Sequence, residues 1–302
     1  MAYRIKPHKS ASKQVRDVAL ERLHKARKSL LLPLEERARG IHQARKRLKE
    51  VRALVRLVRE PLGKAFKRED RRLRDINRKL SGMRDAGALI EIWDVLAAAE
   101  PERFATQEKR EVRERLVIRG QDGGETVEAA HQIINEVIED LAQAEDAVRA
   151  WPLTGKAFAL IAKGLTDTAA DGRKMLHAAC GAVSDVQLHD WRKRVKDHWY
   201  HTRLLTSAWP AAMEVRTALL EDLADLLGQD HDLSILQTLL NKEPTLFGSA
   251  SQRDELLTIV GQRRDHLQRE AFRLGQRLYA ESPAALCKRW GRYWELARKE
   301  KG

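Results

Sequence analysis

Cysteine, glycine, proline and aromatic residues are all scarce in this chain of 302 residues. There are two cysteines, 17 glycines and 8 prolines, and aromatics make up 5%. Cys180 and Cys287 cannot build a disulfide framework and do not show the close spacing of a zinc cluster. No run of apolar residues reaches the roughly 18 that a membrane-spanning helix needs. Residues 1–13 hold no apolar stretch of the kind a secretory signal carries. A reducing, cytoplasmic setting is therefore the expectation. Strand-like alternation between Asn-Gly or Asp-Gly turns is nearly missing too, which leaves no pattern for a sheet. The glycines of 120–124 lack the Gly-Lys-Ser/Thr ending of a phosphate loop.

Charge and helix formers are abundant. Lys and Arg number 57 against 44 Asp and Glu, a net +13 with His neutral. An excess of this sign points to a polyanionic partner: nucleic acid, an anionic membrane face or a phosphate polymer. Hydrophobic residues at 43% suffice for a core, so a disordered polyelectrolyte is excluded. Ala, Leu, Arg, Glu and Lys dominate, and the fold class that follows is all-α. Helical periodicity predicts helices over about 12–32, 35–59, 67–80, 85–100, 106–118, 126–150, 156–180, 184–207, 213–227, 232–240, 249–281 and 283–300, with proline or glycine near most boundaries.

The chain also repeats itself. Ile41-His42-Gln43-Ala44-Arg45-Lys46-Arg47-Leu48-Lys49 matches Leu188-His189-Asp190-Trp191-Arg192-Lys193-Arg194-Val195-Lys196 at an offset of 147. At that offset Arg56 falls on Arg203, Asp75 on Asp222, Leu80 on Leu227, Arg84 on His231 and Asp85 on Asp232. Upstream, Arg27-Lys28 pairs with Arg173-Lys174 at an offset of 146. Two copies of one helical unit are expected, 1–151 and 152–302, meeting near 151–155.

Each copy carries H-x-x-R-K-x-x-K. With Leu48 at zero and about 100° per residue, Arg45, Lys49, Arg52, Arg56 and Arg59 fall within roughly 20–100°, and Val51, Val55, Val58 and Leu62 within roughly 280–340°. The basic stripe thus borders the apolar one, while Glu50 and Glu60 fall on the far side. A merely solvated helix would interleave acids and bases at i,i+4. Tolerated repulsion along roughly 25 Å of one face suits a long bound anion. His42 and His189 stand one turn before each basic pair, where they can donate to phosphate or cap core carbonyls. Asp85 and Asp232 are expected to cap helices they begin. Trp93, Trp191, Trp209, Trp290 and Trp294 sit in apolar patterns and are expected in the core.

These motifs, with Leu80-Ser81-Gly82-Met83-Arg84-Asp85 and Leu227-Gly228-Gln229-Asp230-His231-Asp232-Leu233, resemble the CHAD domain, the conserved histidine α-helical domain that binds inorganic polyphosphate. The resemblance implies two four-helix bundles related by a pseudo-two-fold axis, with a basic channel where they meet. It implies non-catalytic binding of inorganic polyphosphate, no cofactor, and association with polyphosphate granules. His42, Arg45, Lys49, Arg52, His189, Arg192, Lys193 and Lys196 would face the channel. Helix geometry adds Lys46 and Arg56, the repeat adds Arg203, and Arg84 is placed to reach it; Arg27, Lys28, Arg173 and Lys174 would extend the wall. Glu50 and Trp199 depart from the family's basic pattern and would thin it locally.

Two other readings stay open. An RNA-binding protein would need aromatics for stacking among the basic residues; the first copy's stripe has none, and the second has Trp191, Trp199 and Tyr200. A metal-dependent phosphohydrolase could be read into His189-Asp190, His231-Asp232 or His198-x-x-His201. The repeat aligns Asp190 with Gln43 and His231 with Arg84, and a dense cationic neighbourhood disfavours a dication.

Overall fold

The structure is a computed structural model and describes residues 3–81, 85–122, 127–155 and 157–300. Thirteen helices are found among the described residues, and no strand. They are α1 (Ala11–Leu30), α2 (Arg37–Leu57), α3 (Arg59–Leu62), α4 (Ala65–Lys79), α5 (Asp85–Ala99), α6 (Pro101–Phe104), α7 (Gln107–Asp122), α8 (Val127–Arg149), α9 (Ala159–Gly181), α10 (Asp185–Leu205), α11 (Pro210–Lys242), α12 (Ala250–Leu278) and α13 (Pro283–Lys299). Local chemistry sets several ends. Ser184 caps α10 by accepting from the Gln187 amide, Ser249 forms a reciprocal capping box with Gln252, and Pro101, Pro210 and Pro283 open their helices, where no backbone donor is needed.

Two rings of four helices organise the molecule. In the first, α1 packs on α2 and α8, and α4 closes the ring between them. In the second, α10 packs on α9 and α11, and α12 closes the ring, with α13 lying over α9. One continuous core runs through both. It is built from stripes such as Ile41, Ala44, Leu48, Val51 and Val55 on α2, spaced three or four apart so that one face is apolar. The rings join where α2 meets α9 and α10. At that seam Gly164 lies so close to α2 that a β-carbon there would stand 2.0 Å from the Leu57 carbonyl oxygen. A second, smaller core fills the far end, where α5, α6 and α7 pack on the distal halves of α11 and α12 around Trp93, Phe247 and Leu256.

Three local expectations are corrected. Residues 213–227 and 232–240 form one continuous helix, α11, because Gly228 does not break it. A β-carbon at Gly228 would lie 3.1 Å from Arg192 Nη2, so the glycine is a clearance for that guanidinium. Asp232 consequently sits inside α11 and begins no helix. Trp209 is 48% exposed and meets Tyr293 edge-on, whereas Trp93, Trp191, Trp290 and Trp294 are buried as expected. Trp191 stacks on Phe272 at 5.6 Å with planes 8° apart.

Candidate functional site

The site is framed by the contact between α2 and α10. His201 Nε2 donates to the Ala53 carbonyl at 2.7 Å, which takes it out of any metal pair with His198; that ring is itself fully buried between Tyr279 and Trp290. On either side of this bond lie reciprocal ion pairs. Arg56 Nη1 donates to both oxygens of Asp197 (2.8 and 2.7 Å), and Arg203 Nη1 stands 3.7 Å from Glu50. Arg56 and Arg203 share the 147-residue offset, and so do Glu50 and Asp197. Each acid is also paired within its own helix, Glu50 with Arg47 (3.0 Å) and Asp197 with Arg194 (3.3 Å), three residues back. The helices therefore run antiparallel, each placing its C-terminal arginine on the other's central acid. Glu50 does not thin the wall of the site; it is fully buried, and Arg22 approaches it at 3.5 Å from α1.

Beside this contact opens a cleft of about 800 Å³, walled by α2, α4, α9 and α10. Nine cationic side chains line it (Lys49, Arg52, Arg56, Arg74, Lys174, Arg192, Lys193, Arg194 and Lys196) together with His189. Only Asp171, Asp190 and Asp197 oppose them among its lining residues. Of the residues anticipated from sequence, Lys49, Arg52, Arg56, Lys174, His189, Arg192, Lys193 and Lys196 are thus brought together. His42, Arg45 and Lys46 lie further along α2, outside the lining, although the charge of Lys46 reaches Lys196. Arg203 turns the other way, under the rings of Trp199 (4.6 Å) and Tyr3 (5.6 Å). Arg27 pairs with Glu145 of α8 at 3.6 Å, Lys28 is exposed on α1, and Arg173 is half-buried on α9 beside the cleft-lining Lys174. Arg84 lies outside the described residues. Sequence reasoning missed Arg74 and Asn77 of α4, Arg194, and the acids Asp171 and Asp197. The arginine-rich run Arg71-Arg72-Leu73-Arg74 was the available signal for the first of these.

The cations are of two kinds. Arg52 is held by Asp70 of α4 (2.9 and 3.2 Å), and Arg56 by Asp197 with Asp70 at 3.4 Å. Burial raises the Asp70 carboxyl, but hydrogen bonds from Arg52 and the charge of Arg56 outweigh it and hold the group below its ordinary value. Lys193 donates to Asp190 at 2.9 Å. By contrast, among the described residues no carboxylate ion-pairs with Lys174, Arg192 or Lys196. Arg192 Nε is buried without a hydrogen-bond partner there. Lys196 Nζ stands 5.2 Å over the Trp199 ring, and its pKa is pushed down by burial, then by Arg192, which with Lys46 outweighs the opposing pull of Asp225 and Glu221. His189 is pushed to about 4 by burial, then by His231, Lys193 and Arg192. This wall holds positive charge free of close ion pairs, part of it half-buried, where an anion gains more than at an open surface. Among the described residues, no group of three or more His, Cys, Asp or Glu converges in a way that could hold a metal ion, and no helix is long and apolar enough to cross a membrane.

Comparisons with known proteins place the fold. No curated protein matches the chain. PptA from Streptomyces chartreusis shares the fold at 13% identity and a TM-score of 0.58, over 90% of this chain and 100% of that one. The CHAD domain from the plant Ricinus communis does so at 15% identity and a TM-score of 0.55, over 98% of this chain and 95% of that one. Residues 17–241 match the family model described as CHAD domain, so the chain belongs to the CHAD domain family.

Proposed function

We propose that the cleft binds inorganic polyphosphate without transforming it. The observation that carries this reading is the wall of half-buried Arg192 and Lys196 with exposed Lys174 at its edge, cations with which no described carboxylate forms an ion pair. Arg offers forked donors to non-bridging oxygens and Lys a compact charge. Arg192 and Lys196 lie one turn apart, about 6 Å along the helix, so they engage different phosphoryl groups of one chain. Arg52 and Arg56, already paired, fix the shape of the wall and supply background charge. Lys49, Lys193 and Arg74 complete the lining, and His42, Arg45 and Lys46 continue the positive face along α2. No nucleophile or metal is needed, and localisation at polyphosphate granules accords with such binding.

The RNA reading loses its main support at the aromatics. Trp191, Trp199 and Tyr200 are at most 7% exposed, so they cannot offer faces to unstacked bases. The test is charge reversal of the full chain, Lys174→Glu, Arg192→Glu and Lys196→Glu together. Long-chain polyphosphate binding is expected to vanish at moderate salt with the helical circular dichroism unchanged. Retained binding would overturn the assignment, and displacement of bound polyphosphate by RNA at equal phosphate concentration would transfer it to nucleic acid.

A further inference from the structure

His231 belongs to α11, outside the wall just described, yet its ring lies against that of His189, with centroids 4.3 Å apart and planes tilted by 32°. His189 lines the cleft, and its Nδ1 is buried with no hydrogen-bond partner among the described residues. Charged groups surround the pair on every side. Helix α10 brings Asp185, Asp190, Arg192 and Lys193; α11 brings Asp230 and Asp232; α12 brings Arg264; and Lys174, Asp171 and Arg74 share the cleft from α9 and α4. Several of the acids are already engaged. Asp190 accepts from Lys193, Asp185 pairs with Arg264, and Asp230 accepts from Arg264 (3.0 Å) and Gln268 (2.8 Å). Burial, with Arg192 next, also lowers His231. In the empty cleft both rings are therefore neutral at ordinary pH, and one of them faces a cationic wall.

We propose that the His189–His231 pair takes up one proton from solvent when polyphosphate fills the cleft, which makes anion binding proton-coupled and adds His231 to the binding apparatus. This rests on the reading of the cleft as a polyphosphate site. A polyanion cancels the field of Arg192 and Lys193 and offers oxygens to an imidazolium donor, so the charged form gains in the complex. Two imidazolium ions at this separation repel, so the pair holds one proton and titrates as a unit. The sign follows. The bound-state pKa lies above the free-state value, so affinity is flat at pH above the bound value. It rises as pH falls through that value and levels off below the pair's free-state value, which burial and the neighbouring cations hold below the ordinary histidine value. Within the window the gain is up to about tenfold per pH unit, the limit for one proton.

The experiment titrates the full chain with long-chain polyphosphate from about pH 5 to about pH 8 at fixed ionic strength, where histidine is the side chain that titrates. It is run on the wild type and on the His189→Asn, His231→Asn double variant. Calorimetry in two buffers of different ionisation enthalpy counts the protons taken up. The wild type is expected to bind more tightly as pH falls and to take up as much as one proton, and the double variant to lose both effects. The proton count on the wild type needs no variant and stands if the variant does not fold. Binding with no proton uptake at any pH, or the same pH slope in a folded variant, overturns the coupling and leaves the polyphosphate site intact. Absence of binding at every pH overturns both.

Discussion

Replacing Lys196 by Met should move binding and stability in opposite directions. In the folded protein this ammonium is partly buried, forms no ion pair with a described carboxylate, and feels Arg192 and Lys46 against Asp225 and Glu221. Its pKa is lowered, so carrying the charge costs the folded state; that cost is fully present below the lowered value and fades as pH rises through it. Met preserves the stem that packs by Trp199 and removes the charge. Stability at neutral pH should hold or rise by a fraction of a kcal/mol, about the range of substitutions that break no packing. Binding should weaken by the value of a charge-assisted contact, about 1.5–3 kcal/mol, or roughly 10- to 100-fold. Arg56→Met is the contrasting case. It leaves Asp197, a buried acid, with Arg194 as its remaining close partner, and should destabilise by about 1.5–3 kcal/mol. Urea midpoints at constant m-value and polyphosphate titrations at one salt concentration measure both quantities. If Lys196→Met lost more than about 1 kcal/mol of stability, or bound polyphosphate as well as the wild type, the lysine would be a structural residue and the argument from its missing partner would fail.

Salt offers an independent gauge. With four or five cations contacting the polymer and a single-strand-like slope, affinity should fall about 50- to 130-fold between roughly 50 and 200 mM salt, and a flat response would exclude an electrostatic clamp. At the seam between the two rings, Gly164→Ala should destabilise by about 1–3 kcal/mol despite alanine's better helix propensity, because the added β-carbon meets a backbone carbonyl that cannot step aside; an unchanged urea midpoint would show that α2 and α9 lie further apart than described.

Much of this was legible in the residues, and the misses share a cause. The helical periodicity located nearly every element, because core stripes and breakers are local signals. The two H-x-x-R-K-x-x-K segments located α2 and α10 and most of the cleft's cations. Arg74 and Asp171 were not found, because they reach the cleft from α4 and α9 and only tertiary packing brings them there. Glu50 interrupts the basic pattern in the sequence, yet Asp197 stands at the same offset, each behind an arginine three residues earlier. An acid kept at both places was the clue to an interior ion pair. Glycine usually marks a helix end, which places a boundary after residue 227 in the sequence; what lies opposite Gly228, the Arg192 guanidinium, sets its role instead.

The crossed pairing of Arg56 with Asp197 and of Arg203 with Glu50 bears on whether the chain can be divided. A cut in the connector at 151–155 would part the two rings of helices and separate α5, α6 and α7 from the distal halves of α11 and α12 on which they pack. It would also strip each section of a counter-ion for its central acid, leaving Glu50 and Asp197 to be balanced from their own side alone. Either half expressed alone is therefore expected to be less stable than it is in the whole chain, with Glu50 keeping Arg47 and Arg22 and Asp197 keeping Arg194 but each acid losing its cross-seam arginine.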